Sequence, residues 1–245
     1  TDGSVNGCLN EGGITVEVTE SGSVSGGGIT GDCNGKNIRI TGCINRGKLS
    51  GNSTSYKTEG ISLAGIVGTN FSGSTINNCL NEGEVNVRFS SSQTVYSPFS
   101  AAGITTSNYG LVINSGNTGR IVVQSDMKAT VGGISSHNSG SIVNSYNIGA
   151  IACNGRKGQT FYNNGGGITG VFQYSTIGIT PLIYGCYNSG TVSSTGSEEQ
   201  IGSIAGDASY LIDKYNVPTR IRNTYYSAET GKPIGNDYYQ QSQYI

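Results

Sequence analysis

The stretch "INNCLNEGEV", residues 76–85, recurs along the chain and decides the fold. Close copies stand at 5–14, 40–49, 112–121, 142–151 and 183–192, and a degenerate seventh copy stands at 221–230. The fourth residues of successive copies are 35, 36, 36, 30, 41 and 38 positions apart. A unit that repeats at this period is typical of solenoids, in which each unit buries its apolar side against its neighbours.

Two positions of the phrase are invariant in the six good copies. In stacked coils, neighbouring strands lie about 4.8 Å apart, so equivalent side chains form columns along the axis. An asparagine column can hydrogen-bond from rung to rung, and a glycine column marks a turn whose backbone leaves no room for a Cβ. We predict such columns at the sixth position (Asn10, Asn45, Asn81, Asn117, Asn147, Asn188) and the eighth (Gly12, Gly47, Gly83, Gly119, Gly149, Gly190).

A second phrase lies between the copies, as in "GGITG" at 27–31 and "AGIVG" at 64–68. Each period then holds one strand around the Ile of this phrase, one before the fourth position and one after the invariant Gly. We therefore predict an all-β chain, a right-handed parallel β-helix of six to seven coils with three short strands per coil. The handedness follows the rule for parallel crossovers. We expect the solenoid to span 1–206, and 207–245 to hold the last coil and a Tyr-rich C-terminal cap or exit segment.

Composition excludes several function classes. The chain has 40 Gly, one His and a net charge of −1, and its charged fraction of 12% is about half the usual value. We expect the chain neither to bind nucleic acid nor to insert into a membrane. One His excludes multi-His zinc sites, and the six Cys form no CxxC pair. We assign no catalytic, metal-binding or cofactor-binding residue, and expect no cofactor and no enzymatic activity.

The fourth position of the phrase alternates between Cys and small hydroxyl residues, which predicts a filler of the coil interior rather than a metal or redox site. Two cysteines, Cys33 and Cys153, lie outside the phrase and are candidates for exposed thiols. The column reads Cys8, Cys43, Cys79, Ser115, Ser145, Cys186 and Thr224.

Two features are candidates for binding. The fifth position of the later copies carries Tyr146, Tyr187 and Tyr225, which alternation points outward. These rings could contact sugars, cover the sheet or meet a neighbouring domain. In addition, length varies most at 88–100, 154–162 and 193–200. Insertions at one phase of a solenoid emerge on one side, often the binding side, although they can also be solvent loops tolerated at little cost.

The alternating pattern resembles the GLUG-motif repeat, in segments 28–31, 65–68 and 167–170 and more loosely in 203–206. Ile stands where that family prefers Leu, and the closing Gly is replaced by Thr106 and Ser136. Such repeats occur in secreted and wall-attached bacterial proteins, including IgA-specific metallopeptidases and adhesins. The resemblance implies an extracellular bacterial location. The zinc motif of those peptidases is absent from the sequence, so no protease activity carries over.

These observations predict a non-catalytic extracellular repeat module of a bacterial cell-surface or secreted protein, acting in adhesion, ligand binding or as a spacer. Its partners would be a host or matrix protein, a glycan, or neighbouring domains of a longer chain. The alternative is a carbohydrate-active β-helix, as a polysaccharide binder or a lyase-like or hydrolase-like protein. Hydrolysis requires clustered carboxylates on one face, and no paired Asp stands on a predicted strand.

Overall fold

In the computed structural model the chain winds into seven coils stacked along one axis. The structure describes residues 2–35, 37–91, 99–155, 163–173, 181–195, 199–210, 220–227 and 231–236. Within these ranges every secondary-structure element is a β-strand, and the strands pair in parallel. At about 4.8 Å per step, seven coils make a stack roughly 30 Å long. The predicted all-β parallel solenoid is confirmed.

The first four coils each contain five strands in the described residues. Coil 1 holds β1 (Gly3–Asn6), β2 (Leu9–Asn10), β3 (Ile14–Val18), β4 (Gly22–Gly27) and β5 (Thr30–Cys33). Coil 2 holds β6 (Ile38–Thr41), β7 (Ile44–Asn45), β8 (Leu49–Ser53), β9 (Thr58–Ala64) and β10 (Val67–Asn70). Coil 3 holds β11 (Thr75–Asn77), β12 (Leu80–Asn81), β13 (Val85–Phe89), β14 (Phe99–Ala102) and β15 (Thr105–Asn108). Coil 4 holds β16 (Leu111–Ile113), β17 (Gly116–Asn117), β18 (Ile121–Ser125), β19 (Ala129–Gly132) and β20 (Ser135–Asn138).

The last three coils continue the pattern. Coil 5 holds β21 (Ser141–Val143), β22 (Tyr146–Asn147), β23 (Ile151–Gly155), β24 (Asn163–Gly166) and β25 (Thr169–Gln173). Coil 6 holds β26 (Leu182–Tyr184), β27 (Tyr187–Asn188), β28 (Val192–Ser194), β29 (Glu199–Gly202) and β30 (Ala205–Tyr210). The described part of coil 7 holds β31 (Ile221–Arg222), β32 (Tyr225–Tyr226) and β33 (Ile234–Asn236). The domain boundary predicted at residue 206 falls within β30.

Equivalent strands of successive coils form five parallel sheets, which we call A to E in the order in which a coil visits them. Sheet A runs from β1 to β31, sheet B from β2 to β32, sheet C from β3 to β28, sheet D from β4 to β29, and sheet E from β5 to β33. The register follows the sequence repeat, since Val85 pairs with Leu49 on one side and Ile121 on the other. Equivalent residues of the phrase therefore stack.

The expected three strands per coil were wrong, because the phrases contain corners that alternation does not reveal. Cys79 lies in a bend between β11 and β12, so the first phrase bends within itself. Gly65 and Ile66 lie between β9 and β10, so the second phrase is a corner between sheets D and E rather than a strand. The second corner divides one predicted strand into two, and the first is followed by a short strand, β12 in coil 3, that was not predicted.

The interior is divided into two apolar cores. One core lies between sheets A and E and includes the corner residues Ile66, Ile104 and Ile134. The other lies between sheets C and D and includes Leu49, Val87 and Phe99. The coil is narrow between them, where Cβ atoms added to Gly65 and Gly103 would lie 2.2 and 2.5 Å from carbon or oxygen atoms of the asparagine column of sheet B. The two repeated phrases therefore face each other across the coil.

Candidate functional site

The predicted asparagine column is a continuous hydrogen-bonded ladder at the narrow part of the coil. Nδ2 of Asn10 donates to Oδ1 of Asn45 (2.7 Å), and the bond recurs at every step as far as Asn188, at 2.7–2.8 Å. From Asn45 onward each Nδ2 also donates to the carbonyl oxygen of the phrase's invariant Gly, at 2.8–3.0 Å. The amides from Asn45 to Asn188 are fully buried. The ladder is structural and offers no group to a ligand.

The invariant Gly column is required by stacking rather than by a special backbone angle. A Cβ on Gly83 would lie 2.2 Å from the carbonyl oxygen of Gly47 in the preceding coil. The exclusion of a Cβ is as predicted, but a positive φ is found elsewhere, at the third position of the phrase. Asn78 and Asn114 have φ of 53° and 51° there, and Asn and Gly are the residues that tolerate this region best.

Sequence reasoning missed a second asparagine ladder at the corner between sheets E and A. Nδ2 of Asn70 donates to Oδ1 of Asn108 (2.8 Å), and Nδ2 of Asn108 donates to Oδ1 of Asn138 (2.7 Å). The signal was present, because each Asn stands four residues after the Ile of the second phrase. Cys33 and Phe172 occupy the same phase in the flanking coils and end the ladder.

The cysteine column is buried from Cys43 onward, which confirms its filler role, whereas Cys8 at the end of the stack is exposed. The expectation of exposed thiols at Cys33 and Cys153 is wrong, since these residues are 2% and 0% exposed. Cys33 is the last residue of β5, Cys153 lies within β23, and each side chain packs in one of the two cores. Burial raises the pKa of Cys79 to about 11, so its thiol stays protonated near neutral pH.

The tyrosine column faces solvent, as predicted. Tyr146, Tyr187 and Tyr225 are 37%, 44% and 66% exposed, and the structure stacks them on coils 5 to 7 of sheet B. Tyr184, at the end of β26, is also exposed, and its hydroxyl accepts a hydrogen bond from Nδ2 of Asn223 (3.1 Å). The column is an accessible aromatic surface on the outside of the rod.

The predicted variable segments lie between strands of sheet C and sheet D. The segments predicted at 88–100, 154–162 and 193–200 begin at the ends of sheet C strands and return at sheet D. Their central residues, 92–98, 156–162 and 196–198, lie outside the described residues. Length also varies at a second corner, because the intervals from β25 to β26 and from β30 to β31 are longer than in earlier coils. Insertion is therefore not confined to the predicted side.

A column of polar side chains runs along the outer face of sheet C beside the first corner. Its members are in register and point away from the core: Glu17, Asn52, Arg88, Gln124 and Asn154. We call this set the polar column. In coil 6, Oγ1 of Thr195 lies 3.3 Å from Oδ1 of Asn154. The set offers one carboxylate, one guanidinium group and three carboxamides, and thus both hydrogen-bond donors and acceptors.

Two grooves adjoin the polar column and share Arg88 and Ser90. The first has a volume of about 280 Å³ and is bordered by Glu17 and Asn52. The second, of about 320 Å³, is bordered by Gln124 and Asp126. Asp126 accepts hydrogen bonds from Oγ of Ser90 (3.1 Å) and the amide of Ser91 (3.2 Å), which fix its carboxylate at the groove wall. The arrangement can hold a polar ligand along the rod.

The single histidine does not form a nucleophilic site with its neighbour. Oγ of Ser136 lies 3.3 Å from Nδ1 of His137 but donates its proton to the carbonyl oxygen of Thr106 (2.6 Å). Burial, and secondly the charge of Lys128, lower the pKa of His137 to about 4. Within the described residues, no three His, Cys, Asp or Glu side chains are grouped to hold a metal, and no helix could span a membrane.

The chain matches no family model, and no curated protein or solved structure is significantly similar to it. The likeness to GLUG repeats therefore rests on the motif residues alone.

Proposed function

We propose that this chain is a non-catalytic repeat module of a bacterial cell-surface or secreted protein, and that it presents a ligand-binding groove on a stiff rod. One observation carries the proposal: the variable segments follow strands of sheet C, whose outer face carries the polar column and its two grooves. In solenoids the side that carries insertions is often the binding side. The motif likeness to secreted bacterial repeats supports the extracellular location.

The chemistry of the polar column suits recognition of a hydroxyl-rich or peptide ligand. Asn52, Gln124 and Asn154 each bring a carboxamide, which both donates and accepts hydrogen bonds. Arg88 brings a planar, permanently charged donor that borders both grooves. Since these side chains stand on strands rather than on loops, a ligand would meet groups whose spacing is fixed by the coil rise.

The rod itself supports a spacer role within the same module. Two hydrogen-bonded ladders and two apolar cores run along the stack. Each coil contacts only its neighbours, so the length of a solenoid grows with the number of repeats without a change in its cross-section. Such a module would hold neighbouring domains of a longer chain at a set distance while it displays the groove.

The alternative is a carbohydrate-active β-helix. Arg88, which borders both grooves, is the observation that favours it, since a basic residue in a cleft suits lyase chemistry. Glycoside hydrolysis instead needs two carboxylates within about 10 Å of each other. Among the described lining residues, each groove has one carboxylate, Glu17 or Asp126. This supports binding over hydrolysis.

Binding to a glycan array and to immobilised extracellular-matrix proteins tests the proposal. The variant Arg88→Ala/Gln124→Ala should lose most of the wild-type signal for at least one glycan or matrix protein while it keeps the wild-type unfolding transition. Arg39→Ala, an exposed arginine on sheet A, is the matched control and should bind normally. Equal binding by the groove variant, or no binding by the wild type, would contradict the role of the groove.

Assay of the same array polysaccharides for new reducing or unsaturated ends separates the two candidates. A non-catalytic module leaves the polysaccharides intact. Release of ends above that of the Arg88→Ala/Gln124→Ala variant would favour the carbohydrate-active alternative and reject the proposal.

A further inference from the structure

We propose that the tyrosine column of sheet B is a separate binding platform for an extended, uncharged polysaccharide chain. The platform consists of Tyr146, Tyr187 and Tyr225, on coils 5, 6 and 7. It lies on a different sheet from the polar column, so this inference goes beyond the proposed function and does not depend on the grooves.

Gly116 provides the room that lets the first ring lie along the sheet. It pairs with Tyr146 in the register of sheet B. A Cβ on Gly116 would lie 2.3 Å from Cζ of Tyr146 and 2.7 Å from its hydroxyl. The far end of the ring therefore lies over the Gly116 backbone instead of projecting away from the rod. In this position the Tyr146 side chain is 37% exposed.

The sequence of the column agrees with this packing. Coils 1 to 3 carry the aliphatic residues Leu9, Ile44 and Leu80 at this phase, and the glycine stands at the coil next to the first tyrosine. The tyrosines then follow at one per coil, with their backbones about 4.8 Å apart. The sugar residues of an extended pyranose chain advance by a similar distance. Successive sugars of one chain can therefore meet successive rings.

The physical attraction is between sugar C–H groups and the ring faces. An aromatic ring carries negative charge density on its face, which attracts the weakly positive C–H groups on the flat side of a pyranose. The tyrosine hydroxyls and the carboxamide of Asn223, which bonds to the hydroxyl of nearby Tyr184 at 3.1 Å, add polar groups beside the rings. This combination recognises a ligand that is apolar on its faces and polar at its edges.

Charge favours a neutral ligand over an acidic one. The column beside the tyrosines reads Thr118, Ile148, Ser189 and Ser227, all uncharged. The same column in coils 1 to 3 is charged, and Arg46 there lies 3.5 Å from Glu11 and 2.6 Å from Glu82. The platform thus begins where the ion-paired part of the column ends. Nothing in this uncharged column would attract uronic acids or sulfated sugars.

Area favours a narrow chain over a protein domain. The three tyrosines together expose on the order of 300 Å². A stable protein–protein interface buries about 800 Å² on each partner. A single polysaccharide chain lying along the rings needs no more surface than the platform offers.

Native affinity electrophoresis in gels that contain hydroxyethyl cellulose, xylan or glucomannan tests the platform. The wild-type chain should be retarded by at least one of these neutral polymers and not by polygalacturonate. Tyr146→Ala/Tyr187→Ala should weaken the affinity about tenfold. Tyr56→Ala, which removes a tyrosine that is exposed elsewhere on the chain, should leave the affinity unchanged.

Gly116→Ala is the sharper variant, because it keeps all three rings but displaces Tyr146. We expect a several-fold loss of affinity for the neutral polymer, while the unfolding transition stays that of the wild type. The platform is rejected if no neutral polymer retards the wild type, or if the double tyrosine variant is retarded equally. Arg88→Ala/Gln124→Ala should retain neutral-polymer binding, so that failure of the platform and failure of the grooves are distinguishable.

Discussion

At the scale of the residue, the phrase at 76–85 assigns one structural role to nearly every position. Cys79 fills a core, Asn81 is a ladder rung and Gly83 lies against the preceding coil. These roles could be predicted because each needs the same residue, or one of a few small residues, in every coil. The positive φ of Asn78 was missed because both Asn and Gly satisfy it, so the position looks variable in sequence.

Asn81→Ala should lower the free energy of unfolding by about 1–3 kcal/mol. The substitution removes the bonds to Asn45 and Asn117 and leaves Oδ1 of Asn117 buried without that donor. Chemical denaturation measures the loss. Asn77→Ala is the control, because Asn77 is only partly buried and accepts a single longer bond from Asn114 (3.3 Å). Equal losses in both variants would contradict the ladder's role.

Gly83→Ala should destabilise the chain by about 1–3 kcal/mol or more, as overpacking does. The new methyl group meets the carbonyl oxygen of Gly47, which belongs to the backbone and cannot turn aside. Gly3→Ala, whose added Cβ would have no atom within 4 Å, should be close to neutral. Thermal unfolding compares the two, and a harmless Gly83→Ala would show that the coils can separate locally.

The stability of the chain should fall as the pH drops from 6.5 towards 4, because of His137. Its pKa in the folded state is lowered to about 4. Below pH 6.5 the unfolded chain takes up a proton at this residue before the folded chain does, so protonation favours unfolding. Urea unfolding between about pH 7 and pH 5 measures the slope of the unfolding free energy against pH. The sequence holds one His, so His137→Gln should flatten the slope, and an unchanged slope would contradict the assignment.

At the scale of the element, strand identity could be predicted and strand number could not. The stretch after Gly83 reads as a strand from its alternating apolar residues, and it is β13. Two-residue strands such as β12 carry no periodicity at all, because alternation needs several residues to be visible. The second ladder was missed for a related reason. Asn70, Asn108 and Asn138 are preceded by different residues, so no fixed phrase surrounds them.

The bend between sheets A and B depends on the left-handed backbone at its centre. Asn114 has φ of 51° there. Asn114→Gly should be nearly neutral, whereas Asn114→Ala should cost about 1 kcal/mol, because a Cβ without a local hydrogen bond disfavours this region. Thermal unfolding of the two variants measures the difference. If Ala and Gly were equally tolerated, the bend would not be held by this conformation.

The candidate binding surfaces were only partly predictable. The outward direction of Tyr146, Tyr187 and Tyr225 followed from alternation. Each tyrosine directly follows the small residue, Ser, Cys or Thr, that points into the coil. The polar column was not predicted, because no single residue type recurs through Glu17, Asn52, Arg88, Gln124 and Asn154. What they share is register, which only the paired strands reveal.

At the scale of the whole molecule, a solenoid should accept an additional coil. Thr75 pairs with Leu111, so residues 75–110 form one complete period. A second copy of 75–110 inserted after residue 110 should lengthen the rod by about 4.8 Å and preserve or raise its stability. Small-angle scattering and thermal unfolding measure both effects. A second copy of 75–104 alone breaks the phase and should destabilise the chain, and equal tolerance of both insertions would contradict nearest-neighbour stacking.

The direction of the ladder bonds gives the rod an electrical polarity. In both ladders each Nδ2 points to the following coil and each Oδ1 to the preceding one. The dipoles of the side-chain amides therefore add along the axis, as peptide dipoles do in an α-helix, whereas dipoles in sheets contribute little net moment. The end near Asn10 is the negative pole of this array and the end near Asn188 is the positive one. Two such rods lying side by side would have lower electrostatic energy when antiparallel.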